Sequence, residues 1–221
     1  PQAEAVTHAW LSARVGTHSA ATMSRRQFCL TLVLGLLVGC VETPDIWEAA
    51  KFGDGQRVSE RLSTGANVDQ PDKTGATALH WAALGGHDHI IRQLLDAKAD
   101  VNAAEAGSGM TPLHGVARWN RLTTAKLLLA NGAKVDVRDR FGRTPLFDAM
   151  VKNRFEMIDL LLGSGADLST RNNEGQTPLD WAISHRKLKL IEHLRAHGAK
   201  APSGSIYLVR SSLFYPEKTL R

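Results

Sequence analysis

Two histidines near the end of the chain have the spacing with the clearest potential for chemistry. His193 and His197 stand four residues apart. On a helix, residues i and i+4 share one face, so the two imidazoles could bind a single transition-metal ion. Such a site needs a third protein ligand, and the sequence reveals none because His185 falls on a different helix. We therefore expect neither a metal site nor a cofactor.

Two further histidines end short motifs that begin with threonine. His80 closes Thr77-Ala-Leu-His80, and His114 closes Thr111-Pro-Leu-His114. No nucleophile accompanies either ring, so the pattern is typical of imidazoles that bond to neighbouring backbone and loop groups. A glycine-rich phosphate loop, a Gly-x-Ser-x-Gly elbow and a paired-carboxylate signature are also missing from the sequence. We expect no catalytic residue and predict that the chain is not an enzyme.

Cys40 offers a third kind of chemistry. The chain has only two cysteines, Cys29 and Cys40, which excludes a disulfide framework and a four-cysteine metal site. Two arginines, an apolar run and small residues precede Cys40, in the order found in export signals. The apolar run, residues 28–41, is shorter than the about 20 residues that span a bilayer as a helix. We predict a signal peptide over residues 23–39.

The residues around the cysteine are similar to known export motifs. Leu37-Val38-Gly39-Cys40 resembles the bacterial lipobox, which implies that Cys40 receives a diacylglycerol and becomes the N-terminus after cleavage. Residues 24–28, Ser-Arg-Arg-Gln-Phe, also resemble a twin-arginine motif, so Sec and twin-arginine export both stay open. The resemblance implies a lipid-anchored protein of the bacterial envelope that faces the periplasm. In enteric bacteria, an aspartate directly after the lipidated cysteine retains a lipoprotein at the inner membrane. Val41 stands at that position here, which favours the outer membrane.

Residues 1–22 precede this complete signal, begin with proline and contain no methionine. We interpret them as a non-native or upstream extension. One alternative treats residues 1–28, with one acid and three arginines, as an organellar transit sequence. Another places the protein in the cytosol, with a spurious N-terminal extension.

A recurring threonine motif indicates how the rest of the chain is built. Thr77, Thr111, Thr144 and Thr177 each open a related tetrapeptide, at spacings of 34, 33 and 33 residues. The threonine hydroxyl can cap a helix, and proline at the first helical position has its φ preset. A leucine pair then marks a second helix in each unit. Gly132, Gly165 and Gly198 follow those helices, where a left-handed residue is expected; Lys98 takes that place once, at a cost in strain.

The motif and its period resemble the ankyrin-repeat family. The resemblance implies an all-α solenoid of helix-turn-helix repeats with projecting hairpin-like loops, which acts by binding other proteins. The 33-residue spacing continues backwards to residues 43–71, which form a first repeat. Its second helix carries arginines where later repeats have apolar residues, as expected of a terminal unit. We predict five repeats in a domain over 43–200, followed by a C-terminal tail over 201–221; the repeats lie at about 43–71, 72–103, 104–138, 139–171 and 172–200.

The charge balance disfavours nucleic acid as a partner. The formal net charge is +5, and removing residues 1–39 leaves 24 basic and 21 acidic side chains, or +3. Nucleic-acid binders concentrate basic groups along one face, which so small an excess does not indicate. We expect a protein partner and no nucleic acid.

Ankyrin proteins bind partners on a concave surface built from hairpin tips and the ends of the first helices. Trp119 and Phe141 are the leading anchors, because aromatic and arginine side chains are enriched at interface hot spots. A basic ring over the same repeats favours an acidic patch on the partner. By alignment the predicted contact residues are Phe52, Lys73, Arg118, Trp119, Arg140, Phe141, Arg143 and Lys152.

The sequence thus predicts a monomeric, non-enzymatic protein-binding scaffold anchored by lipid at Cys40. One alternative from another class is an accessory or inhibitor of an envelope enzyme that acts through the tail over 201–221. Deleting that tail would distinguish the two functions.

Overall fold

The computed structural model describes residues 45–200. The predicted extension, signal peptide, lipidation site at Cys40 and C-terminal tail lie outside these residues, so those assignments stay predictions. Residues 45–200 contain ten helices and no strand, as the all-α prediction requires. The helices form five consecutive pairs: α1 Ile46–Phe52 and α2 Gly55–Ser63; α3 Ala78–Gly85 and α4 Asp88–Asp96; α5 Pro112–Trp119 and α6 Leu122–Ala130; α7 Pro145–Val151 and α8 Phe155–Gly163; α9 Pro178–Ser184 and α10 Leu188–Ala196.

The five pairs stack in two layers. The first helices, α1, α3, α5, α7 and α9, contact one another in chain order, and the second helices of the first four pairs do the same. Each pair also packs its own two helices together, so one continuous core runs along the stack. This arrangement is the solenoid that the sequence predicted. None of the helices within the described part of the chain has both the length and the apolar character needed to cross a membrane.

A column of leucines forms the centre of the core. Leu94, Leu128, Leu161 and Leu194 occupy equivalent positions in four successive second helices, and all are fully buried. The first pair has Arg61 at this position, which leaves its second helix with Val58 as its buried residue. Each leucine needs a neighbouring pair to cover it, so the stability of one pair depends on the next.

Residues with a left-handed backbone conformation lie at the positions that the sequence predicts. Gly132, Gly165 and Gly198 follow the second helices with φ of 88°, 93° and 87°. Lys98 adopts φ of 68° at the equivalent position, so the predicted strained site is confirmed. Its strain arises because the Cβ atom approaches the following carbonyl oxygen in this conformation, which glycine avoids.

Candidate functional site: an interaction surface

Three of the four hairpin-like loops between pairs are each fixed by one polar side chain. In the loop before α7, the Asp139 carboxylate accepts hydrogen bonds from the backbone N–H groups of Phe141 and Arg143, both at 2.8 Å. Asp72 and Asn172 hold the loops before α3 and α9 in the same way. The hairpin tips are therefore rigid enough to present side chains in defined positions.

Phe141 lies at the tip of the loop before α7 and is 50% exposed. The guanidinium carbons of Arg140 and Arg143 stand 4.9 and 4.7 Å from its ring centroid, within the range of cation–π contact. Arg140 also bonds to the neighbouring loop, donating through Nη1 to the Gly107 carbonyl at 2.9 Å. An exposed aromatic ring is thus in contact with two arginines.

Arg143 has a structural role that the sequence did not reveal. Its Nη2 and Nε donate to Asp139 Oδ2 at 2.8 and 3.0 Å, and the Asp139 side chain is only 1% exposed. Breaking a buried pair of this kind leaves an uncompensated charge inside the protein. Arg143 is therefore a poor residue to substitute when testing binding alone, because its loss would also disturb the hairpin.

Arg118 reaches towards a second buried carboxylate, Asp148 in α7. The distance from Arg118 Nη1 to Asp148 Oδ1 is 3.7 Å, and Oδ2 of Asp148 has no hydrogen-bond partner among the described residues. Burial raises the pKa of Asp148 to about 6, and the guanidinium groups of Arg143 and Arg118 partly oppose that rise. Asp148 thus lies beneath the predicted contact surface and offsets part of its positive charge.

The structure brings together four of the eight predicted contact residues. Arg140 and Arg143 contact Phe141, and Arg143 and Arg118 both act on the charge of Asp148. The other four, Phe52, Lys73, Trp119 and Lys152, are exposed and make no hydrogen bond, ion pair or ring contact to this cluster within residues 45–200.

Two further large aromatic side chains are exposed at the ends of first helices. Trp119 at the end of α5 is 58% exposed, and Phe52 at the end of α1 is 72% exposed. The prediction that Trp119 and Phe141 are exposed and not packed inside is therefore confirmed. A shallow apolar cleft between the second and third pairs, lined in part by Trp81, Leu84 and Met110, adds further apolar surface.

The histidines of the threonine motifs are structural, as the sequence predicted. His114 Nδ1 accepts from the Thr111 N–H at 3.1 Å, and its Nε2 lies 3.1 Å from the Arg143 carbonyl, to which it must donate. His80 makes the same bonds to Thr77 and to the Met110 carbonyl. Burial lowers the pKa of both rings, which keeps them neutral. Each ring therefore links one helix pair to the next.

The fourth pair departs from this pattern, and one sequence-based expectation was wrong here. Thr144 was expected to cap α7 with its hydroxyl, yet Oγ1 of Thr144 is buried with no hydrogen-bond partner among residues 45–200. Its motif carries Phe147 where the others have histidine or aspartate, and this ring is fully buried. An apolar side chain at that position cannot bond to the threonine.

The structure adds a residue to the pair His193 and His197. Asp159 of α8, one helix pair earlier, lies with Oδ1 at 2.6 Å from His193 Nε2 and 3.3 Å from His197 Nε2. Sequence reasoning found no third ligand. Asp159 precedes His193 by 34 residues, one more than the 33 that separate Leu161 from Leu194, so the two residues are close to equivalent positions of adjacent repeats. That spacing was the available signal, because nearly equivalent positions of adjacent repeats lie close together.

Comparison with known proteins supports the repeat architecture. A family model described as ankyrin repeats (3 copies) matches residues 46–139 and 116–203, which together cover more than half of the chain. These matches include every helix of the stack.

Several curated proteins are similar over part of the chain. Palmitoyltransferase Hip14 of Drosophila melanogaster is 40% identical over 98 residues, which cover 44% of this chain and 15% of that protein. The human palmitoyltransferases ZDHHC13 and ZDHHC17 are 33% and 32% identical over 98 and 100 residues, which cover 44% and 45% of this chain and 16% of each protein. The similarity lies in the repeats and so carries no transferase activity over to this chain.

Proposed function

This chain belongs to the ankyrin-repeat family, and we propose that it is a non-enzymatic scaffold that binds a partner protein through the surface formed by its hairpin tips and first helices. The observation that carries the proposal is the exposure of Trp119 and Phe141 beside arginines. Large rings left in water cost free energy that a partner recovers by covering them. We assign the five helix pairs to the five predicted repeats and expect the chain to bind as a monomer.

The charge of this surface favours an acidic partner, though less strongly than the sequence suggested. Asp139 neutralises Arg143, and Asp148 offsets Arg118. Arg140, Lys152 and Lys73 have no ion pair among the described residues, so their charges remain available. Partner carboxylates opposite Arg140 and Lys152 would speed association and fix its orientation, while the aromatic anchors supply most of the affinity.

The binding surface can be tested with a double substitution, Trp119→Ala/Phe141→Ala. Both rings are half exposed or more, so we expect the variant to melt within a few degrees of the wild type and to lose its partner. Losing two anchors of this type should weaken binding by about a thousandfold, at about 2 kcal/mol for each hot spot and ~1.4 kcal/mol for each factor of ten. The partner would be captured on wild-type protein, identified by mass spectrometry, and its affinity measured with purified components.

The matched control is Leu188→Ala, which removes a large apolar side chain that is 63% exposed at the start of α10, in the other layer of the stack. This variant should bind as tightly as the wild type. Undiminished binding by the Trp119/Phe141 variant would show that the partner uses another surface.

We further propose that the scaffold is exported and anchored by acyl chains on Cys40 in a bacterial envelope, facing the periplasm. The support is the order of two arginines, an apolar run and a lipobox-like ending over residues 23–40. Two or more acyl chains on one cysteine suffice for stable membrane attachment.

Lipidation is tested by expressing the chain in a bacterium supplied with labelled palmitate. We expect label in the wild type, none in Cys40→Ser, and undiminished label in the matched control Cys29→Ser. The wild type should also fractionate with membranes, and Cys40→Ser should not. An unlabelled wild type would favour a cytosolic adaptor, whereas label that persists in Cys40→Ser would place the modification elsewhere.

A further inference from the structure

The last two helix pairs bring three metal-ligating side chains together, away from the contact surface. His193 and His197 lie one turn apart on α10, and Asp159 projects from α8 of the preceding pair. One ligand atom from each residue, the carboxylate oxygen or an imidazole nitrogen, lies within 4.8 Å of the other two. We propose that Asp159, His193 and His197 form a binding site for a divalent transition-metal ion, of which Zn²⁺ is the best match.

The chemistry of the donors favours zinc over magnesium or calcium. Two imidazole nitrogens and one carboxylate oxygen form a ligand set typical of zinc sites with an open fourth position. Magnesium and calcium prefer sites made of oxygen atoms alone. The three side chains are between about a quarter and a half exposed, so an ion can enter and water can supply the fourth ligand.

The hydrogen bonding of His197 prepares it as a ligand. Its Nδ1 lies 3.0 Å from the His193 carbonyl oxygen. A carbonyl can only accept, so Nδ1 carries a proton, and in the neutral ring the electron pair of Nε2 is then free to bind a metal. Metal-binding histidines commonly donate their second ring N–H to a backbone carbonyl in this way, which fixes the tautomer and the ring orientation.

Packing also orients His193. Its ring meets Phe155 of α8 edge to face, with centroids 5.1 Å apart, and lies 4.8 Å from the ring of His197. Its Nε2 is the atom that faces Asp159. All three donor atoms therefore point into the same small space between α8 and α10.

The distances require only small side-chain movements to accept an ion. Zinc bonds of ~2.0–2.2 Å place the ligand atoms of a tetrahedral site about 3.3–3.5 Å apart. The separation of Asp159 Oδ1 and His197 Nε2 is already 3.3 Å. The direct contact of 2.6 Å between Asp159 and His193 would open as the ion takes the place of the hydrogen-bonding proton, which is released to water.

A bound ion would fasten the last helix pair to the fourth. The three ligands come from two different pairs, and a ligand that binds the folded state alone stabilises it. Zinc should therefore raise the melting midpoint of the wild type.

The test uses the full chain, purified without a histidine tag, with zinc chloride as the probe. Calorimetric titration should show one zinc bound per wild-type chain at this site, and in His197→Gln and Asp159→Asn that zinc should bind at least about tenfold more weakly, because each variant removes one of three ligands. Zinc should shift the melting midpoint of the wild type and leave those of both variants unmoved.

The matched control is His89→Gln, which removes an exposed histidine of α4 outside the cluster. It should bind zinc as the wild type does. Absence of zinc uptake by the wild type would overturn the site. So would equal stoichiometry and affinity in wild type and both variants, since the zinc would then be held by other residues. The melting curves without zinc show whether each variant is folded.

Discussion

Replacing Leu128 by alanine should lower the free energy of unfolding by about 2–5 kcal/mol, the range for leucine-to-alanine changes in protein cores. Leu128 is fully buried in α6, between the leucines at equivalent positions of the neighbouring pairs. Its loss leaves a cavity that adjoining helices cannot fill, because both are fixed by their own neighbours. Urea denaturation followed by circular dichroism would measure the change.

Two other leucines provide matched comparisons. Leu62 lies in the terminal helix α2, where Arg61 interrupts the leucine column, and it is only partly buried. Leu129 is partly buried within α6 itself. Leu62→Ala and Leu129→Ala should each cost less than Leu128→Ala. Equal shifts for Leu62 and Leu128 would contradict a stack in which each pair covers the next.

Replacing Asp148 by asparagine should stabilise the protein at neutral pH by up to about 3 kcal/mol, since each pKa unit corresponds to ~1.4 kcal/mol. Burial raises the pKa of this carboxyl from 3.8 to about 6. The folded protein therefore binds the proton more tightly than the unfolded chain does. The contribution of Asp148 to stability is complete below pH 3.8 and is lost as the pH rises to about 6. Asparagine has the same shape and no charge to bury.

Urea denaturation of both proteins across this pH range is the measurement. The difference should be largest above about pH 6 and should shrink as the pH falls below 3.8, where Asp148 becomes protonated in the unfolded chain as well as in the folded protein. Any titration of His80 and His114 occurs in both proteins and cancels. A variant less stable than the wild type at neutral pH would show that attraction to Arg118 and Arg143 outweighs burial.

Asp139→Asn is the matched control with the opposite expected sign. Asp139 is also buried, but its oxygens accept bonds from two backbone N–H groups and from the Arg143 guanidinium. Removing its charge leaves that guanidinium unpaired, so this variant should be less stable than the wild type at neutral pH.

Much of the fold could be predicted because the motif repeats. Thr77, Thr111, Thr144 and Thr177 fixed the period, and the period placed the helix pairs, the leucine column and the left-handed positions. Phe147 offers no ring nitrogen to the Thr144 hydroxyl, whereas His80 and His114 pair with the hydroxyls of Thr77 and Thr111, so the motif held in its backbone but lost this side-chain bond.

The site was harder to predict, because ion pairs depend on loop geometry and on register between pairs. Arg143 was read as a free contact residue, although it folds back onto Asp139 within its own hairpin. Asp159 lies one and five residues off the 33-residue register from His193 and His197, so their contact depends on how the last two pairs pack and not on the repeat period alone. Exposure of Trp119 and Phe141, by contrast, followed from their position in the repeat.

The bonds from His80 and His114 to the carbonyls of the next pair bear on how the stack opens in solution. These links join the second pair to the third and the third to the fourth, and Phe147 ends the series. The polar links from the fourth pair to the fifth, such as Asn173 to Arg140 and Asp159 to His193, lie at exposed residues, where water can replace them. Local unfolding should therefore begin at the ends of the stack, so that amide exchange is slowest in the three central pairs that present Trp119 and Phe141.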